Sequence, residues 1–293
     1  MKEEVPMNIK IVSDSSSNVF SLEGVNYSAV PMKIIAGDRE FVDNAELDLK
    51  GMVEFLQSFK SKSGSSCPNV QEWLDAFGDA DMVFGVTITK NLSGSYNAAQ
   101  QAAQTYMEEN PGKKAYIFDS LSAGPELMLI VDKIVELTGK GLDFDSIVSQ
   151  VLEYHNRCHT IFCLQSLTNL ARNGRVKPAV AKIAGVLGIR MVGIAQGGTI
   201  VPIHKPRGEK KALAAMVASM GERGMEDGNL VRVAHCFGED TANAFIAALK
   251  EQYPNCRVIL EHTTALCSFY AEMGGLMVGY EGGFNEENDN SKF

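Results

Sequence analysis

The sequence predicts an α/β protein of two α/β domains, the first with a mainly parallel sheet and the second a smaller α/β unit. Short apolar runs alternate with longer segments whose apolar residues recur every three or four positions, which is the pattern of βαβ units. The short runs are apolar at nearly every position, as in strands buried on both faces. A length of 293 residues, 45% of them hydrophobic and 22% charged, suits two globular domains.

The first half of the chain contains the clearest alternation of elements. Strands are predicted at residues 9–12, 27–35, 82–88 and 115–118. Helices are predicted at residues 48–59, 70–77, 94–108, 126–141 and 143–158, where one face of each is apolar. We therefore assign residues 7–157 to an N-terminal α/β domain that carries the ligand-binding turns.

The second half repeats the alternation with a β-hairpin inserted. A strand is predicted at residues 159–164, a helix at 180–187, and a hairpin over 190–204 whose turn is Gly197-Gly198. Helices at 209–224 and 240–253 then alternate with strands at 230–237, 256–262 and 275–280. We assign residues 158–285 to a C-terminal α/β domain and the polar residues 286–293 to a frayed tail.

Charge and cysteine usage limit the partners and the compartment. A net charge of −9 opposes binding to nucleic acid or to an anionic membrane surface. The six cysteines are irregularly spaced in a chain large enough to form its own core, which favours reduced thiols and a cytoplasmic location. The N-terminal residues lack the apolar region of a secretion signal, and no apolar stretch is long enough for stable membrane insertion.

Small polar residues collect after the strands of the first half, where a parallel sheet binds its ligands. Asp14 and three serines follow the first strand, Ser93-Gly94 follows the third, and Asp119-Ser120 with Ser122-Ala123-Gly124 follows the fourth. Ser93-Gly94 opens a helix, whose free N–H groups suit a carboxylate or a phosphate. Helix capping is the ordinary role of any one such turn. Several turns meeting at one sheet edge favour a binding site.

Several common enzyme signatures are missing. The sequence has no P-loop, no G-x-G-x-x-G dinucleotide motif and no G-x-S-x-G nucleophile elbow at a strand-to-helix turn. Lysines occur only at the edges of the polar turns, at Lys60, Lys62 and Lys90, which favours a singly charged head group over a polyphosphate.

An ordered set of motifs resembles the DegV family of bacterial fatty-acid-binding proteins. The motifs are DSSS, AVPMKI with D-x-x-FVDN, SSCP, ITKNLSGSYNAA, FDSLSAGPEL, LTNLARNGRV and HKPRGEKKAL, and they cover roughly residues 8–283. The resemblance implies a long-chain fatty acid held between two α/β domains by a lipid carrier that is not an enzyme and uses no cofactor. Its carboxylate would lie near the SSCP and LSG turns, and its acyl chain would lie in an apolar tunnel.

Residues matched to the family motifs give the candidate site. Ser65 and Ser66 match the T-S-x-P motif, and Ser93-Gly94 match the L-S-G motif. Arg175 matches a G-R position that faces the partner in members working with a fatty acid kinase. Many members carry an H-T-G-P-G motif, whereas YAEMGG here places Tyr270 where that histidine stands, which leaves kinase partnership open. The phenol of Tyr270 still suits a carboxylate.

Other interpretations of the same residues stay open at this point. An enzyme acting on a small carboxylated or phosphorylated metabolite would use Asp14, Asp119 and the Ser93 turn as its active site. His155 and His159 have the spacing of a zinc pair, but no further cluster completes a ligand set, so we predict no metal site. Cys67 has no identifiable base and is interpreted as an inert thiol.

Overall fold

A computed structural model describes residues 7–179 and 188–285 of the chain. The helix predicted at residues 180–187 and the tail predicted at 286–293 lie outside these residues. The strands are β1 Ile9–Asp14, β2 Tyr27–Val30, β3 Lys33–Ala36, β4 Arg39–Val42, β5 Ser63–Ser66, β6 Met82–Thr87, β7 Lys114–Asp119, β8 Cys158–Leu164, β9 Met191–Gln196, β10 Thr199–His204, β11 Leu230–His235, β12 Arg257–His262 and β13 Leu276–Glu281. The helices are α1 Leu49–Ser58, α2 Val70–Phe77, α3 Ser95–Glu109, α4 Pro125–Gly139, α5 Phe144–His155, α6 Thr168–Arg172, α7 Glu209–Glu222, α8 Glu239–Gln252 and α9 Ala265–Ala271.

The first sheet is fully parallel, with strand order β2-β1-β6-β7. Its strands carry the near-continuous apolar runs seen in the sequence, and every residue of β6 is buried. Helices α2 and α3 pack against one face, and α4 and α5 pack against the other. This arrangement confirms the predicted parallel α/β sheet.

The second large sheet is mixed, with strand order β10-β9-β8-β13-β11-β12. Only β11 and β12 run parallel, and the other neighbours are antiparallel. The predicted hairpin is confirmed, because β9 and β10 pair around Gly197-Gly198, which both adopt positive φ. Two consecutive residues with positive φ are what a type I′ hairpin turn requires.

A third, three-stranded antiparallel sheet of order β4-β3-β5 was not predicted. The single strand predicted at residues 27–35 is wrong: it divides into β2, in the parallel sheet, and β3, in the third sheet. Pro31 has no N–H to donate, and the N–H of Met32 bonds to the Ser15 hydroxyl at 2.9 Å instead of to a strand. The chain therefore leaves the parallel sheet between β2 and β3.

Two further element predictions need correction. The helix predicted to reach residue 158 ends at His155, because Cys158 begins β8. Helix α9 was missed altogether, and it packs against β3 and α1 although it lies in the chain between β12 and β13 of the second sheet. Within the described residues, no helix combines the length and apolarity that a membrane span requires. The domain boundary proposed near residue 158 stays a prediction.

Candidate functional site

A cavity of about 300 Å³ lies where the three sheets meet. The turns after β6 and β7 line one side, β5 and α9 line another, and the inward face of β8 and β13 closes it. Apolar side chains form most of the wall, among them Met32, Ile88, Leu121, Phe162, Leu164 and Met277. A concave, largely apolar volume with a few polar groups is the ordinary form of a small-molecule site.

All six residues predicted for ligand or partner contact line this one cavity. They are Ser65, Ser66, Ser93, Gly94, Arg175 and Tyr270. The sequence places them on four separate segments, and the fold brings them together at one polar end. The turns after the third and fourth predicted strands and the SSCP segment thus meet at one cavity, whereas the turn after the first strand does not line it. The role of each residue stays a prediction.

Ser65 and Tyr270 form the hydrogen-bonded pair at this polar end. Ser65 lies on β5, in register with the fully buried Ile34 of β3, and its Oγ is 2.8 Å from the Tyr270 hydroxyl. The two hydroxyl groups have one proton each, and one of these protons forms the hydrogen bond between the two oxygens. The pair therefore keeps one proton that it can donate to an acidic head group.

Ser93 and Gly94 lead into α3. The N-cap residue of this helix is Gly94, and the N–H of Ser95 donates to Ser93 Oγ at 3.2 Å, which leaves the hydroxyl proton of Ser93 for another acceptor. Gly94 closely approaches Cys67, because a Cβ at position 94 would lie 3.2 Å from the Cys67 Sγ. The first-turn N–H groups of α3 add a positive dipole end to this wall of the cavity.

Arg175 brings a positive charge to the cavity and not to a remote surface. Its Nε donates to the Leu92 carbonyl at 3.2 Å, and a second guanidinium nitrogen donates to the Asn173 carbonyl. The guanidinium also lies 5.8 Å from the centre of the Tyr270 ring. Half-buried and held by two carbonyls, this cation is placed to attract an anionic head group.

Asp14 and Asp119 do not line the cavity, contrary to the metabolite-enzyme interpretation. Asp14 is fully buried and accepts bonds from the Ile88 N–H at 2.9 Å and from the Ser95 hydroxyl at 2.7 Å. Burial raises the pKa of Asp14 to about 6. The carboxylate thus fastens the ends of β1 and β6 to the start of α3, which is a structural role.

Asp43, for which no role was predicted, positions the helix that carries Tyr270. Its buried carboxylate accepts the N–H groups of Ala265 and Leu266, at 2.7 and 3.1 Å, and so caps α9. It also accepts the Ser15 hydroxyl at 2.8 Å. Burial raises the pKa of this carboxyl group. The only sequence signal was its place in the FVDN motif.

The two candidate zinc histidines serve different contacts. His155 Nε2 lies 2.8 Å from the Ser120 carbonyl oxygen, whereas His159 Nε2 lies 2.9 Å from the Gly283 carbonyl oxygen. His155 ends α5 and His159 is on β8, so the helical spacing assumed for the pair does not exist. Among the described residues, no group of three or more ligating side chains is suitable for a metal ion.

Comparison with known proteins identifies the family. The model described as "Uncharacterised protein, DegV family" matches residues 8–281. The chain belongs to the DegV family. A DegV domain-containing protein of Streptococcus gordonii is 39% identical over 280 residues, which cover 94% of this chain and 99% of the relative.

Solved structures of DegV proteins share the whole fold. A DegV family protein from Eubacterium eligens, loaded with heptadecanoic acid, is 36% identical with a TM-score of 0.91. The Streptococcus pneumoniae Fatty Acid Kinase (Fak) B3 protein, loaded with linoleic acid, is 37% identical, also with a TM-score of 0.91. Each comparison covers 94% of this chain and 99% of the other. The predicted DegV resemblance is confirmed.

Proposed function

We propose that this protein binds one long-chain fatty acid in the cavity and acts as a lipid carrier. The observation that carries the proposal is the division of the cavity into one polar end and long apolar walls, within a fold shared with DegV proteins that were crystallised with fatty acids. The carboxylate lies at the polar end, and the acyl chain lies along the inward face of the second sheet.

The polar end supplies donors and positive charge for a carboxylate. Ser66 and Ser93 each offer a hydroxyl proton, and the Ser65–Tyr270 pair offers one more. Gly94 admits close approach to the start of α3, and Arg175 supplies the cation. Hydrogen bonds to a charged acceptor contribute about 1.5–3 kcal/mol each. Several hydrogen-bond donors together with one positive charge suit a ligand group that carries a single negative charge.

The apolar walls suit an extended hydrocarbon. Phe162 and Leu164 alternate with residues of the opposite core, so their side chains share the face of β8 that lines the cavity. Met277 on β13 lies beside Phe162. Burying about sixteen methylenes at ~0.8 kcal/mol each gives about 13 kcal/mol before ordering costs. That gain is enough to retain the acid during purification.

The carrier role extends to a kinase partner. We assign Arg175 and the surrounding cavity mouth to contact with a fatty acid kinase, because the similar pneumococcal protein is named as a fatty acid kinase B3 protein. Tyr270, in the place of the histidine that many members carry, then supplies the donor beside the carboxylate. In this role the protein presents its ligand, performs no chemistry and needs no cofactor.

The location that fits this role is the cytoplasm. Three cysteines near the cavity are free thiols, and none of them forms a disulfide. They are Cys67 and Cys267 in the cavity wall and Cys236 in the core beside it. Burial raises the pKa of Cys236 and of Cys267, which keeps them protonated. Such thiols are typical of a reducing compartment.

Binding of a matched pair of ligands tests the proposal. Protein freed of lipid is titrated with octadecanoic acid and with octadecanol, which has the same tail but no carboxylate. We expect saturable one-to-one binding of the acid and an affinity for the alcohol at least tenfold lower, since the charged hydrogen bonds are lost. Equal affinity for both would contradict the carboxylate site, and binding of neither would contradict the carrier function.

A further inference from the structure

Two hydroxyls interrupt the apolar wall away from the polar end. Ser122, in the turn after β7, and Thr160, on β8, both line the cavity, and both residues are nearly inaccessible to solvent. Their oxygens lie 2.7 Å apart. An unsubstituted hydrocarbon tail has no group that could form a hydrogen bond with these hydroxyls.

Glu126 fixes the direction of the hydrogen bonds. Thr160 Oγ1 donates to Glu126 Oε2 at 2.7 Å, so the bond between the two hydroxyls runs from Ser122 to Thr160. Glu126 lies in the first turn of α4, where the helix dipole favours a negative charge. Both hydroxyl protons are therefore committed away from the ligand. The remaining lone pairs make this part of the wall an acceptor.

The turn that carries Ser122 is held rigidly. Ser120 Oγ accepts the N–H of Ser122 at 3.2 Å and donates to the Ser122 carbonyl at 3.1 Å. The Ser120 carbonyl in turn accepts from His155 Nε2 at 2.8 Å. Because a carbonyl only accepts, His155 carries its proton on Nε2. The acceptor pair is thus pre-organised and does not have to be ordered by a ligand.

The acceptor pair lies on the cavity wall beside the proposed head-group site and not within it, since the Ser122 carbonyl accepts the N–H of Thr89, whose own carbonyl accepts the N–H of Ser93. Thr160 and Leu164 are four residues apart on the same face of β8, which corresponds to about 13 Å at ~3.3 Å per residue. Leu164 packs in one cluster with Tyr270 at the polar end. A chain whose carboxylate is held at Ser65, Ser93 and Tyr270 and that runs along this face of β8 passes Ser122 and Thr160 with its interior carbons.

We propose that the cavity accepts fatty acids that carry a hydroxyl group within the chain, with Ser122 and Thr160 as its acceptors. The inference rests on the proposed function and specifies the ligand class. Ser122 already takes part in one internal bond and Thr160 in two, so an unsubstituted chain still binds without an unsatisfied group. A mid-chain hydroxyl finds a partner here, whereas a wholly apolar wall would reject it.

Positional isomers and one serine variant test this inference. Octadecanoic acid is compared with its hydroxylated forms that carry the hydroxyl beside the carboxyl group, in mid-chain or near the methyl end. In Ser122→Ala, we expect affinity for the mid-chain isomer to fall about three- to tenfold relative to octadecanoic acid, as loss of one hydrogen bond implies. Ser219→Ala removes a buried hydroxyl outside the cavity and is the matched control.

Substitutions of Thr160 give a second readout. Thr160→Ser keeps the hydroxyl and should keep the wild-type ratio, whereas Thr160→Val should reject the mid-chain isomer. An unchanged ratio for every isomer in Ser122→Ala and Thr160→Val overturns the inference while leaving the carrier function intact. Failure of wild-type protein to bind octadecanoic acid itself overturns both.

Discussion

The Ser65 Oγ and the Tyr270 hydroxyl lie 2.8 Å apart although 205 residues separate them in the chain. The first is on an edge strand of the small third sheet, and the second is in the last turn of α9. Their contact closes the polar end of the cavity with groups from opposite ends of the sequence. Any change that shifts α9 relative to β5 therefore changes the proposed head-group site.

Replacing the tyrosine tests the donor role directly. Tyr270→Phe removes the phenol and keeps the ring, so the lost interaction is a hydrogen bond to a charged group. We expect octadecanoic acid affinity to fall about tenfold or more. Tyr253→Phe, at a buried tyrosine outside the cavity, is the control. Unchanged affinity in Tyr270→Phe would remove this residue from the site.

Ser93 has two hydrogen-bonding roles, and two measurements separate them. Ser93→Ala should weaken retention of the fatty acid by about 1–3 kcal/mol through the lost donor, and should cost about 1 kcal/mol of stability through the lost bond to the Ser95 N–H. Ser93→Thr keeps the hydroxyl and should restore most of both. Calorimetric titration and urea unfolding measure the two effects. Retention equal to wild type in Ser93→Ala would count against the head-group assignment.

Asp43 should matter more for stability than an exposed capping residue. Asp43→Ala leaves the buried N–H groups of Ala265 and Leu266 without acceptors, and we expect a loss of about 3 kcal/mol in the free energy of unfolding. Asp48→Ala removes an exposed cap that accepts the Gly51 N–H, and should cost about 1 kcal/mol. Octadecanoic acid affinity should fall only in Asp43→Ala. Equal stability losses would contradict the anchoring role.

His155 makes the fold sensitive to acid. Burial lowers the pKa of His155 to about 4, whereas in the unfolded chain it takes up a proton near pH 6.5. The unfolded state thus binds more protons between these values, and stability falls as the pH falls. We expect wild type to lose about 3 kcal/mol more than His155→Gln between pH 6.5 and 4. Parallel stability curves would refute the buried neutral imidazole.

The elements that the sequence predicted are those with a local signal. The strands of the parallel sheet are apolar at almost every position. In the second sheet, Gly197-Gly198 predicts the β9–β10 hairpin from two neighbouring residues alone. Strand β5 has the sequence SGSS, which has no strand pattern, and it forms because it pairs with β3. Helix α9 starts where Asp43 caps it, 222 residues away in the sequence.

The residues of the candidate site likewise divide into those that a local motif predicted and those that only the fold brings together. Ser65, Ser93 and Tyr270 were found because their motifs resemble a family, and the structure places them on one cavity. Ser122 was noted only as one of the small polar residues after the fourth predicted strand, and Thr160 was not found, because a serine in a turn and a threonine in a buried strand are ordinary residues at such positions. These two residues form an acceptor pair because their hydroxyls bond to each other and Thr160 donates to the Glu126 carboxylate.

The most direct test of the central claim is the mass of the protein as it is purified. Native mass spectrometry followed by organic extraction measures what the cavity holds. We predict one fatty acid per chain, released as a long-chain carboxylic acid. A ligand-free mass that stays unchanged after incubation with several long-chain fatty acids would contradict the account and return attention to a small-metabolite enzyme.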